Sequence, residues 1–304
     1  MKRLYNNFKD EISVVNSELL RDIPEDVMLL KDVFNHIFLA GGKRLRPLLT
    51  LAFSDDSSSN ESAIYLAAAV ELIHTATLLH DDVIDNAATR RNIPTANNIW
   101  DNKTSILVGD NMFSKAFQLI VRSGKLAAFK ELADASATIS AAEVWQIQIL
   151  NKSDTTIEEY IRLVTDKTAV LFAAACAVGA ICADSDIDKA REFGLSFGIL
   201  YQIKDDLLDY FGDENVIGKE IFQDIREGKV TLPLIILLES MSYAEKRIVQ
   251  FMLESNKIDK VLLSELMKKY CVEERVIAFS EKYKDASFKT APAILEGILD
   301  EMLG

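Results

Sequence analysis

Apolar positions recur at three- and four-residue spacing through most of the chain, the period at which side chains share one face of an α-helix. EDVMLLKDVFNHIFLA (25–40) is amphipathic in this way and runs into Gly41-Gly42, a helix-stop signal. ESAIYLAAAVELIHTATLLHDDVID (61–85) is apolar on most faces, which predicts a long central helix. Further helices are predicted over 104–122, 125–151, 156–183, 186–211 and 230–255, with shorter ones to the end. Thr155-x-x-Glu158 and Ser242-x-x-Glu245 have the form of capping boxes that open helices. The chain carries no period-two alternation with turn dipeptides, no repeat of fixed period and no Pro/Ser linker. The pattern predicts an all-α fold, one domain over 1–304, with long helices around a central core.

Composition agrees and removes some functions. Only 5 prolines and 12 glycines interrupt 304 residues, and 49% of the chain is apolar, enough for a large core. The formal charge of −13, without a long Lys/Arg block, argues against nucleic acid as the main partner. Cys176, Cys182 and Cys271 lack CxxC spacing, so buried thiols in a reducing compartment are expected rather than disulfides or zinc. The start, MKRLYNNFKDEI, has no apolar signal core, and the longest apolar run, 171–183, falls short of the ~20 residues that span a bilayer. A cytoplasmic protein is expected.

Two short stretches carry the chemistry. LLHDDVIDNAATRR (78–91) puts Asp81, Asp82 and Asp85 at the end of an apolar helix. Residues i and i+4 lie on one helix face, so Asp81 and Asp85 point the same way, at the helix end that disfavours negative charge. Two such charges repel by ~0.7 kcal/mol in water and by roughly 3 kcal/mol at an effective dielectric of 20. YQIKDDLLDYFGD (201–213) repeats the arrangement with Asp205, Asp206 and Asp209. Carboxylates without histidine or cysteine suit a hard cation such as Mg²⁺, which takes one or two carboxylates plus substrate phosphates. Cationic residues that could meet phosphate lie close by in sequence. They are Lys43, Arg44 and Arg46 in GGKRLRP (41–47), Arg90 and Arg91, Lys167 beside Thr168, Lys204, and Lys219 and Lys229 in a polar segment.

These stretches together resemble the trans-polyprenyl diphosphate synthases. GGKRLRP, HTATLLHDDVIDNAATRR (74–91), LVGDNMFSKAF (107–117), VTDKTAVLF (164–172), YQIKDDLLDYFGD and EGKVTLPL (227–234) stand in that family's order and spacing. The resemblance implies a bundle of helices around an apolar cavity, the isoprenoid synthase type. It implies head-to-tail addition of isopentenyl diphosphate to an allylic diphosphate, with diphosphate released and serving as the base. By the same resemblance Asp81, Asp82, Asp85, Asp205, Asp206 and Asp209 would bind two or three Mg²⁺ ions. Arg90, Lys167, Thr168, Gln202, Lys219 and Lys229 would grip the allylic diphosphate, and Lys43, Arg46, His74 and Arg91 the isopentenyl diphosphate. Asp81, Asp82, Asp85, Lys167, Asp205 and Asp206 would form the catalytic set, in a homodimer with at most peripheral membrane contact for product release. Three positions depart from the family pattern: Asn92, Ala142 and Phe222 each stand where it usually has glycine.

Product length should follow the helix below Asp81. Thr77 and Ala76 lie one turn upstream and Ile73 two, and small residues at 76 and 77 leave room where short-chain relatives place an aromatic. A medium- or long-chain product is expected, around octaprenyl, as for quinone side chains. Phe53, Phe117, Leu132 and Trp145 are candidates for the tunnel floor. Three alternatives are weighed. One is a short-chain synthase making farnesyl or geranylgeranyl diphosphate. A second is a silent subunit of a heteromeric synthase, which should have lost acids that this chain keeps. The third is a di-iron bundle, for which Glu71-x-x-His74 supplies half of the motif.

Overall fold

Helices follow one another almost end to end, as the periodicity requires. The computed structural model describes residues 2–39, 41–54, 61–90, 93–213, 221–255, 257–296 and 299. In order they form α1 (Lys2–Asn7), α2 (Lys9–Leu20), α3 (Met28–Leu39), α4 (Leu45–Ala52), α5 (Glu61–Ile84), strands β1 (Thr89–Arg90) and β2 (Ile93–Pro94), α6 (Ala96–Ile99), α7 (Asn102–Arg122) and α8 (Leu126–Ile149). Then come α9 (Ile157–Val164), a π-helical turn (Thr165–Ala169), α10 (Val170–Cys182), α11 (Ile187–Phe211) and α12 (Gln223–Arg226). The chain continues through α13 (Leu232–Ser240), α14 (Tyr243–Ser255), α15 (Lys260–Lys269), α16 (Val272–Thr290) and α17 (Ala293–Glu296).

The apolar helices predicted to be central are central. α5 packs against α2, α4, α7 and α10, and α10 packs against α11. By length and composition alone, α5 and the 157–182 stretch could cross a membrane, yet both are mostly buried in the protein. α10 and α11 approach closely because their contact is lined with small residues. A Cβ added at Gly194 would stand 2.5 Å from Ala173 Cα, and one at Gly198 2.6 Å from Ala169 Cα, so alanine at either position would force the helices apart. α11 joins two apolar clusters: Phe193 and Phe197 enter the first with Leu66 and Phe172, and Ile203 and Tyr210 enter the second with Phe222 and Leu237. The helix bearing the second acid cluster is thus clamped along its length.

Local details correct the sequence reading at four places. The predicted 230–255 helix breaks at Met241-Ser242, where Ser242 N–H donates to Glu245 Oε2 (3.2 Å) and Glu245 N–H to Ser242 Oγ (3.4 Å). That capping box is therefore real, and it overrides the continuing apolar period. The box expected at Thr155 forms one residue later: Glu159 N–H donates to Thr156 Oγ1 (3.2 Å) and Thr156 N–H to Glu159 Oε2 (2.9 Å). Thr155 instead donates its hydroxyl to the Lys152 carbonyl. The predicted 156–183 helix is interrupted by the π-helical turn, within which the Val170 N–H reaches the Thr165 carbonyl. Finally, β1 and β2 pair antiparallel, Thr89 with Pro94 and Arg90 with Ile93, a hairpin too short to leave an alternating pattern.

Candidate active site

The ends of α5 and α11 meet across a cleft lined by Asp81, Asp85, Lys167, Gln202, Asp205 and Asp206, with Asp224 and Lys229 opposite. The helical period sorts the acids. Asp81 and Asp85 share the cleft-facing side of α5. Asp82, one step round the helix, is buried and turns to a second cavity, where Arg90 Nε and Nη2 both reach its Oδ1 at 2.8 Å. Asp205 is exposed at the cleft, whereas Asp206 and Asp209 are buried.

Asp206 is held by neutral groups. Tyr160 donates its hydroxyl to Oδ2 at 2.6 Å, and Gln202 Nε2 donates to Oδ1 at 2.8 Å. The Gln202 carbonyl accepts from Thr168 Oγ1 at 3.0 Å. Gln202, expected to grip diphosphate, is thus a relay between the π-helical turn and the second cluster. Both Asp209 oxygens accept backbone N–H groups, from Gln223 (3.3 Å) and Asp224 (3.1 Å), and its own carbonyl accepts from Phe222 N–H. Through these bonds Asp209 anchors the turn that follows. Phe222 adopts φ +63° there, the left-handed region that favours glycine, so the departure from the family pattern falls on a strained position.

Arg90, Lys167 and Lys229, three of the cations named from the sequence, line the cleft. Lys167 Nζ lies 2.7 Å from Glu143 Oε2 and 2.8 Å from Gln146 Oε1, both on α8. The π-helical turn that offers Lys167 and Thr168 is a feature frequent at functional sites. Lys229 Nζ contacts Glu227 at 2.6 Å and Asp85 at 3.0 Å. Burial raises the Asp81 carboxyl above the ordinary aspartate range, and Asp85 adds to this while Lys167 opposes it. Burial likewise raises Asp82 against the pull of Arg90, and raises Asp206 strongly, with Asp224 adding. Glu143 is also raised by burial, opposed by Lys167. The cleft therefore disfavours its own negative charges, which a bound cation would relieve. Among the described residues no three His, Cys, Asp or Glu side chains converge into a ready-made metal cage. The donor set still fits Mg²⁺: Asp81, Asp85 and Asp205 present only oxygen to the cleft, and substrate phosphate can complete the coordination.

A second pocket lies on the other side of α5, lined by His36, Arg44, Glu71, His74, Asp82 and Arg90 and sharing Leu78 and Arg90 with the cleft. His74, which the resemblance gives to isopentenyl diphosphate, lines it. Arg44 is a buried structural ion pair, Nη1 to Glu71 Oε1 at 2.8 Å, which commits the glutamate of the di-iron half-motif to an arginine. Lys43 is exposed, and Arg46 stacks its guanidinium 4.0 Å above the Phe172 ring; neither lines this cavity. Arg91, Asn92 and Lys219 lie outside the described residues. Ile73 and Ala76 are fully buried and Thr77 half-buried, and neither cavity is lined by them. Of the floor candidates, Leu132 is buried and Phe53 packs on Phe193. Phe117 instead sits on the exposed side of α7 beside Phe129, and Trp145 lies against Arg162.

Tyr160, Glu143, Gln146, Asp224 and Glu227 were missed by the sequence reading. Each reaches the site from a segment without an acid cluster; Asp224 and Glu227 stood in the polar segment 212–229 already singled out, and Glu143 follows Ala142, a noted departure from the family pattern.

The family model described as Polyprenyl synthetase matches residues 27–270. A geranylgeranyl diphosphate synthase of Saccharolobus solfataricus is 35% identical over 93% of this chain and 89% of its own length. The octaprenyl diphosphate synthase of Escherichia coli is 38% identical over 74% of this chain and 71% of its own. The crystal structure of a polyprenyl synthase from Caulobacter crescentus, complexed with calcium and isoprenyl diphosphate, superposes with a TM-score of 0.92 at 33% identity, covering 99% of this chain and 97% of that one.

Proposed function

The chain belongs to the polyprenyl synthetase family, and from that premise we infer that it is a trans-prenyltransferase extending an allylic diphosphate with isopentenyl diphosphate to a medium- or long-chain product. The observation that carries this reading is the cleft itself, with two aspartate clusters on converging helix ends and Lys167, Arg90 and Lys229 between them.

Asp81, Asp85 and Asp205 would hold the metal, with Lys167, Arg90 and Lys229 on the allylic diphosphate. When bound, Mg²⁺ would neutralise the departing diphosphate as the allylic C–O bond breaks. The apolar wall formed by Leu78, Leu163 and Val164 keeps water from the allylic cation while the isopentenyl double bond attacks it. The proton lost from the new unit would pass to the released diphosphate. The cavity with His74 and Arg90, separated from the cleft by Leu78, is suited to isopentenyl diphosphate. Calcium and isoprenyl diphosphate in the Caulobacter relative support a divalent-metal site of this kind.

A homodimer is supported by an apolar face. Leu107, Phe117 and Val121 on α7 and Leu126 and Phe129 on α8 are all exposed, and Val121 and Leu126 are 72% and 83% accessible. A second copy of this chain would cover that face.

The test is incorporation of labelled isopentenyl diphosphate into an allylic primer with Mg²⁺. Wild type should incorporate label, and Asp81→Ala and Asp205→Ala should lose at least a hundredfold in rate. A wild-type protein inactive alone and active only with a second subunit would favour the heteromeric alternative.

A further inference from the structure

We propose that Tyr160 is a positioning residue for the second acid cluster: with Gln202 it fixes the buried carboxylate of Asp206 so that the free lone pairs of that carboxylate serve a cation in the cleft. The proposal rests on the prenyltransferase reading only for the identity of that cation.

Tyr160 is 3% exposed and belongs to the second apolar cluster, where phenylalanine would pack equally well. Its hydroxyl is the one polar atom of that side chain, and it is spent on Asp206 Oδ2 at 2.6 Å. Oδ1 takes the Gln202 amide at 2.8 Å, and the Gln202 carbonyl is itself fixed by Thr168 at 3.0 Å. A carboxylate oxygen accepts at two lone pairs. One donor on each oxygen therefore locks the plane of the Asp206 carboxylate and leaves one acceptor direction per oxygen.

The chemistry of these two donors matters. Both are neutral, so Asp206 is oriented without being neutralised. Asp82 is treated in the opposite way, with an arginine on its oxygen. The hydrogen bonds run from Thr168 through Gln202 to Asp206 and are closed by Tyr160 from α9. The chain thus couples the turn that presents Lys167 to the acids on α11. A carboxylate freed from its hydroxyl donor could rotate, and the cation would have to bear the cost of ordering it.

The test is Tyr160→Phe, which removes one oxygen and keeps the ring. Calorimetric Mg²⁺ titration is done on the full-length protein saturated with inorganic diphosphate, beside steady-state kinetics and a melting curve. The half-saturating Mg²⁺ concentration should rise roughly tenfold, the scale of one hydrogen bond to a charged group. The KM for isopentenyl diphosphate and the melting temperature should stay near wild type. An unchanged Mg²⁺ midpoint overturns the proposal, as does a lowered melting temperature with a normal midpoint. Gln202→Met removes the other donor without touching Tyr160; it must raise the same midpoint, and a normal value there also overturns the proposal. The calorimetric arm uses no isoprenoid, so its outcome is separate from failure of the prenyltransferase reading.

Discussion

Lys229 Nζ lies 3.0 Å from Asp85 Oδ2 and 2.6 Å from Glu227 Oε2, so one ammonium ties the first acid cluster to a segment 144 positions further along the chain. Burial opposes its charge, but Glu227 and Asp85 outweigh burial and raise its pKa, so the group stays cationic throughout the neutral range. A fixed cation in an acidic cleft is placed to meet phosphate. Lys229→Met keeps the stem and removes the charge. It should raise the KM for the allylic diphosphate by about tenfold, the scale of one charge-assisted contact. An unchanged KM in steady-state kinetics would assign Lys229 to holding Asp85 alone.

Phe222 sets strain against burial. Its left-handed backbone costs about 1 kcal/mol, while its ring is fully buried and meets Tyr210 edge-on at 5.6 Å. Losing a buried phenyl typically costs about 3–5 kcal/mol. Phe222→Gly should therefore destabilise by about 2–4 kcal/mol in urea unfolding, even though it restores the residue usual in the family. A stabilised variant would mean that strain dominates.

Lys115 carries a pH signature remote from the cleft. Burial depresses its pKa from 10.5 to about 8, against the pull of Asp22 and Glu18. The unfolded chain then holds this proton more tightly than the folded one between about pH 8 and 10.5, so unfolding takes up a proton and stability rises with pH across that window. Thermal unfolding in Lys115→Met should lack this rise. An identical slope in wild type and variant would show that another group is responsible.

The proposal that product length is set along α5 is tested at Ala76. Ala76 is fully buried one turn below Asp81, so a phenol ring there intrudes on whatever path the product takes along this helix. Ala76→Tyr should shorten the product by two units or more at a rate still measurable. An unaltered product distribution, with the variant folded by circular dichroism, places the growing chain elsewhere.

Much of this was legible in the sequence, for identifiable reasons. α5 and α11 were readable because apolar periodicity over some 24 residues leaves few other solutions, and the acid clusters because their i, i+4 charges oppose helix-end electrostatics. The resemblance supplied Lys167, Arg90 and Lys229, and the structure brings all three to the cleft. Tyr160 was invisible, since it looks like a core aromatic until tertiary packing aims it. The π-helical turn at 165–169 leaves no mark on periodicity.

The central claim is a cleft that builds a long polyprenyl chain. The most direct measurement is reversed-phase analysis of the products made by the purified protein from Mg²⁺, labelled isopentenyl diphosphate and a farnesyl or geranylgeranyl primer, beside Asp81→Ala. A ladder ending near eight isoprene units, absent from the variant, is the predicted result. Termination at three or four units would contradict the long-chain reading and favour a short-chain synthase, and no incorporation with any primer would contradict the claim as a whole.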